Sequence, residues 1–288
     1  MNYRHIYHAG NFADVFKHII LSRIIEYLKR KEQAFRIIDT HAGIGLYDLS
    51  SSEAQKTGEW LAGVGKFLLQ GLDKFSAEQL EILKPWLNSI LSLNPGFEED
   101  HKIKFYPGSP FIACSLLRKQ DRLSLIELHT EDHKQLLKHF GGNYKIKIFH
   151  LNGWHALKGH LPPKEKRGLI FIDPPFEERN DFSKIIEHLE IAYKRFSGAT
   201  YAIWYPIKNK KITNGFHESI KNTKIKNILI LNFFIDYENI EEKMAGCAMC
   251  IVNPPYILEE EFDKISPLFL KYLASEKGKI TKEWIRKS

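Results

Sequence analysis

An apolar run leads directly into an acid and two glycines in the stretch Phe35-Arg-Ile-Ile-Asp39-Thr-His-Ala-Gly43-Ile-Gly45. The run is short and β-branched, which predicts a buried strand that ends at Asp39. Glycines at this point let the backbone turn tightly and approach a bound nucleotide closely. The spacing D-x-x-x-G-x-G differs from G-x-G-x-x-G, and no Lys-Ser/Thr pair follows as in a triphosphate loop. The stretch therefore predicts the first strand of an α/β sheet and a ligand-binding turn after it.

The rest of the chain alternates between apolar runs and amphipathic segments, which predicts a parallel sheet with helices on both faces. Further strands are predicted at residues 123–127, 145–151, 168–172, 200–205, 227–234 and 246–252. Helices are predicted at residues 12–31, 109–118, 130–140, 181–196, 215–222 and 259–276. The last two strands have no full helix between them, so we expect an antiparallel hairpin there. Residues 277–288 are expected to form either a helix or a frayed basic tail.

Residues 46–106 interrupt this alternation with helical segments at 60–70 and 77–93. In a nucleotide-binding sheet the acid at the end of the second strand follows the glycines by about 20 residues. Glu127 comes far later, so we interpret residues 46–106 as a helical insertion in the first strand–helix loop. Such a loop lies at the ligand edge of the sheet, where the insertion would form a wall of the substrate cleft. After it, Ser109 is predicted to cap a helix that has Pro110 at its first position.

A second informative stretch is Phe171-Ile172-Asp173-Pro174-Pro175-Phe176. Proline cannot donate to a strand ladder, so the strand must stop at Asp173. The carboxylate and a turn carbonyl can accept hydrogen bonds from an amino group, and the Phe176 ring can stack on a flat base. A strand end followed by a Pro-Pro turn explains the same residues without any function. Asn253-Pro254-Pro255-Tyr256 repeats the pattern, but it follows the last predicted strand, near the antiparallel edge. We therefore place the site at Asp173 and interpret 253–256 as a structural turn near the cleft.

Composition favours a polyanionic partner. The 288 residues carry a formal net charge of +7 and a sequence pI of about 9.0, which suits nucleic acid. Two of three basic clusters flank the Asp173 stretch, and the clusters are Lys and Arg residues within 1–31, 158–167 and 208–211. No apolar run is long enough to span a membrane, and no apolar signal region opens the chain, so we expect a cytoplasmic protein. Cys247 and Cys250 fall in a predicted strand and are interpreted as structural.

Residues 1–11 are polar, aromatic and irregular, and Asn11 is predicted to cap the helix that follows. His5, His8 and His18 have no accompanying carboxylate or cysteine cluster, so we do not predict a metal site. An arm of this kind has few groups to bury and many to offer to phosphates and bases.

Several of these motifs resemble a known family. Asp39-Thr-His-Ala-Gly-Ile-Gly45 with Asp173-Pro-Pro-Phe176 is similar to the N6-adenine methyltransferases. The opening residues Tyr3-Arg4-His5, His8-Ala-Gly-Asn11, Ala13-Asp14 and Lys17-His18 resemble the bacterial methyltransferases that modify one adenine of 23S ribosomal RNA. The resemblance runs over nearly the whole chain. It implies a Rossmann-like class I methyltransferase sheet with helices on both faces and a small helical insertion, all in one domain of residues 1–288.

The resemblance also implies residue roles. S-Adenosylmethionine would be the cofactor, and its contacts would come from Lys17, His18, Asp39, His41, Gly43, Ser109, Glu127, Asn152, Gly153 and Asp173. Asp173, Pro174 and Phe176 would be catalytic, and Tyr3, Arg4 and His5 would contact RNA. Two positions depart from the family: Asn152 stands where an Asp is expected, and Phe176 where Tyr is common. An amide can still bond an adenine edge and a phenyl ring can still stack, so neither change removes the reaction.

The expected function is therefore methyl transfer to N6 of a flipped or unpaired adenine in 23S rRNA, by a monomer acting before full assembly of the large subunit. A DNA adenine methyltransferase is one alternative, although no target-recognition domain is visible. A protein glutamine methyltransferase would follow if Asn253-Pro-Pro-Tyr256 were the site. A non-catalytic RNA-binding module of the same fold is a third alternative, against which the intact Asp39 motif, Glu127 and Asp173 argue.

Overall fold

A computed structural model describes residues 4–69, 72–178, 180–238 and 244–287, and its centre is an eight-stranded sheet. The strands in the described residues are β1 (Arg36–Asp39), β2 (Leu46–Asp48), β3 (Phe105–Pro107), β4 (Arg122–Glu127), β5 (Ile146–His150), β6 (Gly168–Ile172), β7 (Thr200–Ile207), β8 (Ile228–Phe234), β9 (Gly246–Val252) and β10 (Lys279–Arg286). The main sheet has the order β10-β8-β9-β7-β6-β1-β4-β5, while β2 and β3 form a separate antiparallel ribbon. The strands β5, β4, β1, β6 and β7 are mutually parallel, and β9 pairs antiparallel with both β7 and β8. The predicted Rossmann-like α/β sheet is confirmed.

Helices cover both faces of the sheet, as predicted. In chain order they are α1 (Phe12–Lys29), α2 (Ser52–Thr57), α3 (Lys66–Leu69), α4 (Ala77–Leu91), α5 (Phe97–Asp100), α6 (Ser109–Leu116), α7 (Thr130–Phe140), α8 (Gly153–Gly159), α9 (Asp181–Arg195), α10 (Lys210–Asn222) and α11 (Leu258–Leu273). One core joins α1, α4, α6 and α11 to the sheet. The other core lies between the opposite face and α8, α9 and α10. Ile37 belongs to the first core and Ile38 to the second, because successive side chains of a strand point to opposite faces.

The first helix is fixed at its N-terminus by the residue that the sequence indicates. Asn11 Oδ1 accepts hydrogen bonds from the backbone N–H groups of Ala13 and Asp14, both at 3.0 Å. This cap satisfies donors that would otherwise have no intrahelical partner. The helix ends at Lys29, two residues before the predicted end.

Residues between β1 and α6 form the helical segment that the late position of Glu127 suggests. Its two ends pair with each other in the β2–β3 ribbon, where Tyr47 lies opposite Tyr106. A π-helical turn at Leu61–Gly65 brings Gly63 against the N-terminal segment, and a Cβ there would lie 2.1 Å from the Gly10 carbonyl oxygen. Phe67 packs edge-on against Trp86 with ring centroids 5.7 Å apart. The segment therefore shares the core of the sheet face on which α1 lies.

Three local predictions in the second half of the chain are wrong. The strand predicted to stop before Pro206 continues to Ile207. The helix predicted at 215–222 begins at Lys210. Residues 279–286 are neither a helix nor frayed, since β10 pairs antiparallel along β8 and forms the edge of the sheet.

The direction of β9 corrects the expected position of Asn253. Val252, the last residue of β9, lies opposite Tyr201 near the start of β7. Asn253 therefore lies at the edge where the parallel strands begin, whereas Asp173 lies at the edge where they end. The turn at 253–256 is structural, as predicted, but it is not near the cleft.

Candidate active site

A cavity of about 390 Å³ opens at the carboxyl ends of β1, β4, β6 and β7. Open parallel sheets bind their ligands at this edge. The lining includes nearly all the residues expected from the sequence, namely His5, Lys17, His18, His41, Gly43, Ser109, Glu127, Asn152, Gly153, Asp173, Pro174 and Phe176. The chain thus brings together side chains that are up to about 170 positions apart in sequence.

The turn after β1 is held in place by backbone and side-chain hydrogen bonds. Thr40 donates from its backbone N–H and its hydroxyl to the Phe171 carbonyl, at 3.1 and 3.0 Å. Gly43 has φ of +61°, and a Cβ there would lie 2.6 Å from Tyr47 Oη. The positive φ favours glycine in this turn, and a larger residue would also have to displace the Tyr47 hydroxyl.

Asp39, which the sequence predicts to contact the cofactor, ends β1 and is 1% exposed, and it is not among the residues that line the cavity. Ser109 donates its hydroxyl to Asp39 Oδ2 at 2.7 Å, and the backbone N–H of His41 donates to Oδ1 at 3.3 Å. The prediction that Ser109 caps α6 is therefore wrong: Gly108 occupies the cap position, and the serine hydroxyl turns to the acid. The pKa of Asp39 is raised to about 7, chiefly by burial; the nearby carboxylates of Asp173 and Glu127 add to the rise, and the hydrogen bonds from Ser109 and His41 oppose it.

Glu127 ends β4 and is held by two backbone donors. Gly43 N–H donates to Oε2 at 2.8 Å and His129 N–H to Oε1 at 2.6 Å. Burial still raises the pKa of this carboxyl above its ordinary value. The hydrogen bond from Gly43 ties the acid of the second parallel strand to the glycine turn of the first.

The loop after β5 supplies the next wall of the cavity. Asn152 Oδ1 accepts from the Trp154 N–H at 2.9 Å and caps α8. A Cβ on Gly153 would lie 2.2 Å from the Thr40 carbonyl oxygen, so the backbones of two strand ends meet here at a distance that only glycine permits. The amide at position 152 therefore performs the capping that an aspartate there would also perform.

Two of the histidines in the cavity wall, His18 and His41, are neutral at pH 7. Burial lowers the pKa of His18 and of His41 to about 3 in each case. His18 Nδ1 lies 3.0 Å from the Tyr106 hydroxyl, and His41 Nδ1 lies 2.8 Å from the Thr40 hydroxyl. Neutral imidazoles can offer hydrogen bonds or ring faces to a ligand without adding positive charge.

At the other end of the cavity Asp173 is part of an ion network. Lys17 Nζ lies 2.6 Å from Asp173 Oδ2 and 2.8 Å from Asp14 Oδ1. Asp14 Oδ2 also accepts from Gly10 N–H at 2.8 Å and lies 2.9 Å from His5 Nε2. Burial acts to raise the pKa of Asp14, but His5 and Lys17 outweigh it and hold that pKa well below its ordinary range. The network orients one oxygen of Asp173 and leaves Oδ1 without a hydrogen bond to any described residue.

An aromatic wall stands beside Asp173. Phe176 has φ of +51°, which turns the chain sharply after the two prolines. Its ring packs against Phe182 with centroids 5.0 Å apart and edge-on against Trp204 at 5.8 Å. Lys17 Nζ lies 5.1 Å from the Trp204 ring centroid. A planar group in the cavity would therefore meet a fixed ring beside the acid.

The N-terminal segment contacts the helical insertion at the mouth of the cavity. Glu59 accepts from the Asn11 amide at 3.0 Å and lies 2.9 Å from His8 Nδ1. The hydrogen bond to Glu59 raises the pKa of His8 despite partial burial. Arg4 is exposed and does not line the cavity. Tyr3, which the sequence predicts to contact RNA, lies outside the described residues.

Reasoning from the sequence missed three residues of this site: Asp14, Glu59 and Trp204. Asp14 had a usable signal, because it stands three residues before Lys17 on the same helix face, where opposite charges meet. Glu59 and Trp204 had none, since one lies in an irregular turn of the insertion and the other in an apolar strand. Their contacts exist only because the fold brings three distant segments together.

The cavity fits S-adenosylmethionine. The backbones of Gly43 and Gly153 line the cavity, and a glycine presents its backbone to a ligand without a side chain in between. Glu127 at the end of β4 also lines the cavity and offers a carboxylate acceptor for ribose hydroxyls. Carboxylates near the cavity base also favour a cationic ligand over a phosphate.

Comparison with known proteins agrees with this geometry. A family model described as "Ribosomal RNA large subunit methyltransferase D, RlmJ" matches residues 32–286. A relative from Haemophilus influenzae, named "Ribosomal RNA large subunit methyltransferase J", is 40% identical over 286 residues, which is 99% of each chain. A relative of the same name from Escherichia coli is 36% identical over 286 residues, which is again 99% of each chain.

A solved structure is similar over nearly the same length. The crystal structure of a Legionella pneumophila protein superposes with a TM-score of 0.87 at 33% identity, and covers 96% of this chain and 98% of that one. No helix in the described part of the chain has both the length and the apolar character needed to cross a membrane. By the match of the family model and the full-length relatives, this chain belongs to the family of ribosomal RNA large subunit methyltransferases described as RlmJ.

Proposed function

We propose that this methyltransferase transfers the methyl group of S-adenosylmethionine to N6 of one adenine in 23S rRNA. One observation carries the choice of target atom. Asp173 stands at the cavity with Oδ1 unoccupied by any described donor, directly before the Pro174 carbonyl and the Phe176 ring. Two acceptors beside a ring form a site for an amino group on a flat base.

The residues act mostly by positioning. S-Adenosylmethionine, when bound, supplies a methyl group that is already activated on a sulfonium. The adenine N6 lone pair is delocalised into the ring and is a poor nucleophile. The Asp173 carboxylate and the Pro174 carbonyl would each accept a hydrogen bond from the N6 amino group. These two hydrogen bonds would draw the nitrogen toward tetrahedral geometry and stabilise the positive charge that develops on it. Phe176 would hold the base plane by stacking.

Lys17 keeps this arrangement in place. Its ammonium is 4% exposed and lies between two carboxylates, so the lysine fixes the Asp173 rotamer without exposing it to water. Because Lys17 engages Oδ2, Oδ1 of Asp173 remains as the acceptor for an amino group.

The depth of Asp173 supports an unpaired or flipped adenine. A base inside a duplex cannot reach a carboxylate whose side chain is 15% exposed, so the base has to leave its stack.

We also propose that a monomer acts on the RNA before full assembly of the large subunit. We also propose residues 1–288 as one methyltransferase domain, with residues 1–11 as a substrate-contacting arm and residues 46–106 as a subdomain that forms one wall of the cleft.

The test is methyl transfer from labelled S-adenosylmethionine to protein-free 23S rRNA, intact large subunits and duplex DNA, followed by digestion to nucleosides. We expect N6-methyladenosine from free 23S rRNA and much less label in intact subunits. Label in duplex DNA alone would contradict the RNA substrate. Equal label in intact subunits would contradict only the proposed timing. An Asp173→Ala protein that kept wild-type transfer would contradict the proposed catalytic residue.

A further inference from the structure

A second, smaller groove adjoins the active-site cavity. It has a volume of about 150 Å³ and lies between the turn after β6 and the first turn of α10. We call it the flanking groove and define it by Phe176, Phe182, Pro206, Lys208 and Ile212. The mechanism proposed above uses only the face of Phe176 that borders the larger cavity.

The two cavities share a wall. Phe176, Pro206 and Lys208 line both of them. The Phe176 ring is braced by Phe182 and Trp204 at centroid distances of 5.0 and 5.8 Å, so it separates the two spaces as a fixed partition. A chain that places one group in the active-site cavity can therefore place an adjacent group in the flanking groove.

The apolar part of the flanking groove is formed by Phe176, Phe182, Pro206 and Ile212. Ile212 is 55% exposed although it lies beside two phenyl rings and a proline. Asn209 also lines the groove, and its Oδ1 accepts from the backbone N–H groups of Lys211 and Ile212 at 2.8 and 3.2 Å as the cap of α10. The groove thus offers apolar surface for stacking, and its amide oxygen is already used inside the protein.

The surroundings of the groove carry positive charge. Lys208 and Lys211 are exposed and form no ion pair with any residue in the described ranges, whereas Lys210 lies 4.7 Å from the Tyr237 ring centroid. Glu178 also borders the groove, but Lys184 Nζ lies 2.6 Å from its Oε2. The two exposed ammonium groups are therefore the charges that remain for a ligand, and they suit a phosphate.

We infer that the flanking groove binds the nucleotide next to the target adenine in the same RNA strand. Its base would lie against Phe182 and Ile212, and its phosphate would meet Lys208 and Lys211. An adenine that is drawn out of its stack leaves its neighbour without a stacking partner, and apolar and aromatic side chains commonly replace that partner. This inference rests on the proposed function and adds a second nucleotide subsite to it.

The groove should recognise that a base is present rather than which base it is. Asn209 Oδ1 is occupied as the cap of α10 and Glu178 Oε2 by Lys184, so the main contact that the groove offers a base is with the apolar faces of Phe182 and Ile212. Stacking tolerates all four bases because each has a π-face. Sequence selectivity, where it exists, must come from other contacts.

The first experiment removes the neighbouring base. Short RNAs that contain the mapped target adenine are made with an abasic ribose on the 5′ or the 3′ side. We expect the abasic ribose on one side to lower kcat/KM for wild-type protein by roughly tenfold. Ile212→Ser should lose activity on the intact RNA and show little further loss on the abasic RNA. An equal loss in both proteins would overturn the inference. Ile212→Ala, with unfolding measured for both variants, separates an effect on the groove from one on folding.

The second experiment measures the salt dependence of RNA binding by fluorescence anisotropy without cofactor. Each lost phosphate contact reduces the slope of log K against log salt by about 0.7 for single strands. Lys208→Ala/Lys211→Ala should therefore reduce the slope by about 1.4. Lys119→Ala, an exposed lysine before β4 at the opposite edge of the sheet, should leave it unchanged. Equal slopes for the double variant and wild type would overturn the phosphate contacts.

The two experiments distinguish failure of the groove from failure of the proposed function. Wild-type protein that transfers no methyl group to N6 of adenine in RNA would overturn the proposed function, and this subsite with it. Wild-type transfer with no sensitivity to either neighbouring base would overturn the subsite alone.

Discussion

Two turns in this molecule share one pattern, a polar residue followed by two prolines and an aromatic, yet they lie at opposite edges of the sheet. Asp173-Pro174-Pro175-Phe176 follows β6, which is parallel to β1. Asn253-Pro254-Pro255-Tyr256 follows β9, which is antiparallel to β7. The direction of the preceding strand therefore decides which turn reaches the ligand edge. A short motif acquires its chemistry from the strand that carries it.

The polar residues of the two turns have correspondingly different partners. Asp173 meets the Lys17 ammonium at 2.6 Å and faces a cavity. Asn253 donates its amide to the Ser197 and Ala199 carbonyls at 2.8 and 2.7 Å and holds φ of +51°. Asp173 can therefore contact a substrate, whereas Asn253 holds two backbone segments of the protein together.

The largest expected effect separates the two turns by activity. Asp173→Ala should lower kcat by roughly 100- to 1000-fold or more, since it removes an acceptor at the centre where charge develops. Asn253→Ala should leave kcat within about twofold and instead lower the free energy of unfolding by about 1–3 kcal/mol, because the carbonyls of Ser197 and Ala199 lose their donor. Methyl transfer at saturating cofactor and urea unfolding measure the two quantities. A folded Asn253→Ala protein with greatly reduced kcat would break the comparison.

A second test concerns charge at the two edges. Burial raises the pKa of Asp39 from 3.8 to about 7, so the folded protein binds this proton more tightly than the unfolded chain. The stabilisation is full below about pH 4 and is lost as pH rises through 7. Relative to Asp39→Asn, wild-type protein should therefore become less stable between pH 5 and pH 8, by a few kcal/mol at most.

Urea unfolding of wild type and Asp39→Asn at pH 5 and at pH 8 measures this loss of stability. If the difference in their free energies of unfolding were the same at both pH values, the raised pKa of Asp39 would be contradicted. Asp121→Asn provides the control at the opposite edge. Asp121 pairs with the Arg118 guanidinium at 2.9 Å and is fully buried, so its loss should destabilise the protein by breaking a buried ion pair.

Replacing the aromatic residue should likewise lower activity in the turn at 173–176 and not in the turn at 253–256. Phe176→Ala should lower kcat/KM by about 10- to 100-fold, because the base loses its stacking partner. Phe176→Tyr keeps the ring and should retain most activity. Tyr256 is 77% exposed, so Tyr256→Ala should change neither kcat/KM nor, beyond about 0.5 kcal/mol, the stability. Steady-state kinetics on 23S rRNA compare the three proteins, and a deficit in Tyr256→Ala as large as that in Phe176→Ala would contradict the assignment.

The smallest expected effect concerns glycines at the two edges. A Cβ on Gly153 would lie 2.2 Å from the Thr40 carbonyl oxygen, whereas a Cβ on Gly198 would meet nothing within 4 Å. Gly153→Ala should therefore cost about 1–3 kcal/mol of stability and weaken cofactor binding. Gly198→Ala should be neutral or stabilise by up to about 1 kcal/mol. Thermal unfolding and calorimetric titration with S-adenosylmethionine test the pair, and equal behaviour would show that the ligand edge tolerates added bulk.

The parallel half of the sheet was predictable because its patterns are local. The apolar runs that end in Asp39, Glu127 and Asp173 mark strand ends, and parallel strands bring such ends to one edge. Glycine spacing marked the turn after β1. These signals need only a few consecutive residues, so the direction of later strands does not affect them.

The antiparallel half of the sheet was harder to predict, because the length and the edge position of its strands depend on which other strands pair with them. Pro206 can lie inside β7 because β6 pairs with β7 only as far as Ile203, so at the proline β7 has a strand on one side only. In β10, the residues Lys279, Lys282 and Glu283 obscured the strand pattern. Charges of this kind are common on edge strands.

Within the site, the resemblance supplied residues but not their contacts. Lys17 is predicted to contact cofactor and does line the cavity, but its ion pairs with Asp14 and Asp173 were not foreseen. Ser109 was expected to cap a helix, whereas its hydroxyl bonds Asp39. Each residue type allows several partners, and only the fold selects among them.

The position of β10 has a consequence for how the chain is made. This strand covers β8, whose residues Ile-Leu-Ile-Leu-Asn-Phe-Phe would otherwise present an uncovered, strongly apolar edge. Such an edge pairs readily with other chains. A nascent or truncated chain that lacks residues 279–286 would therefore expose an aggregation-prone strand, and the sheet can be completed only after nearly the whole chain has left the ribosome.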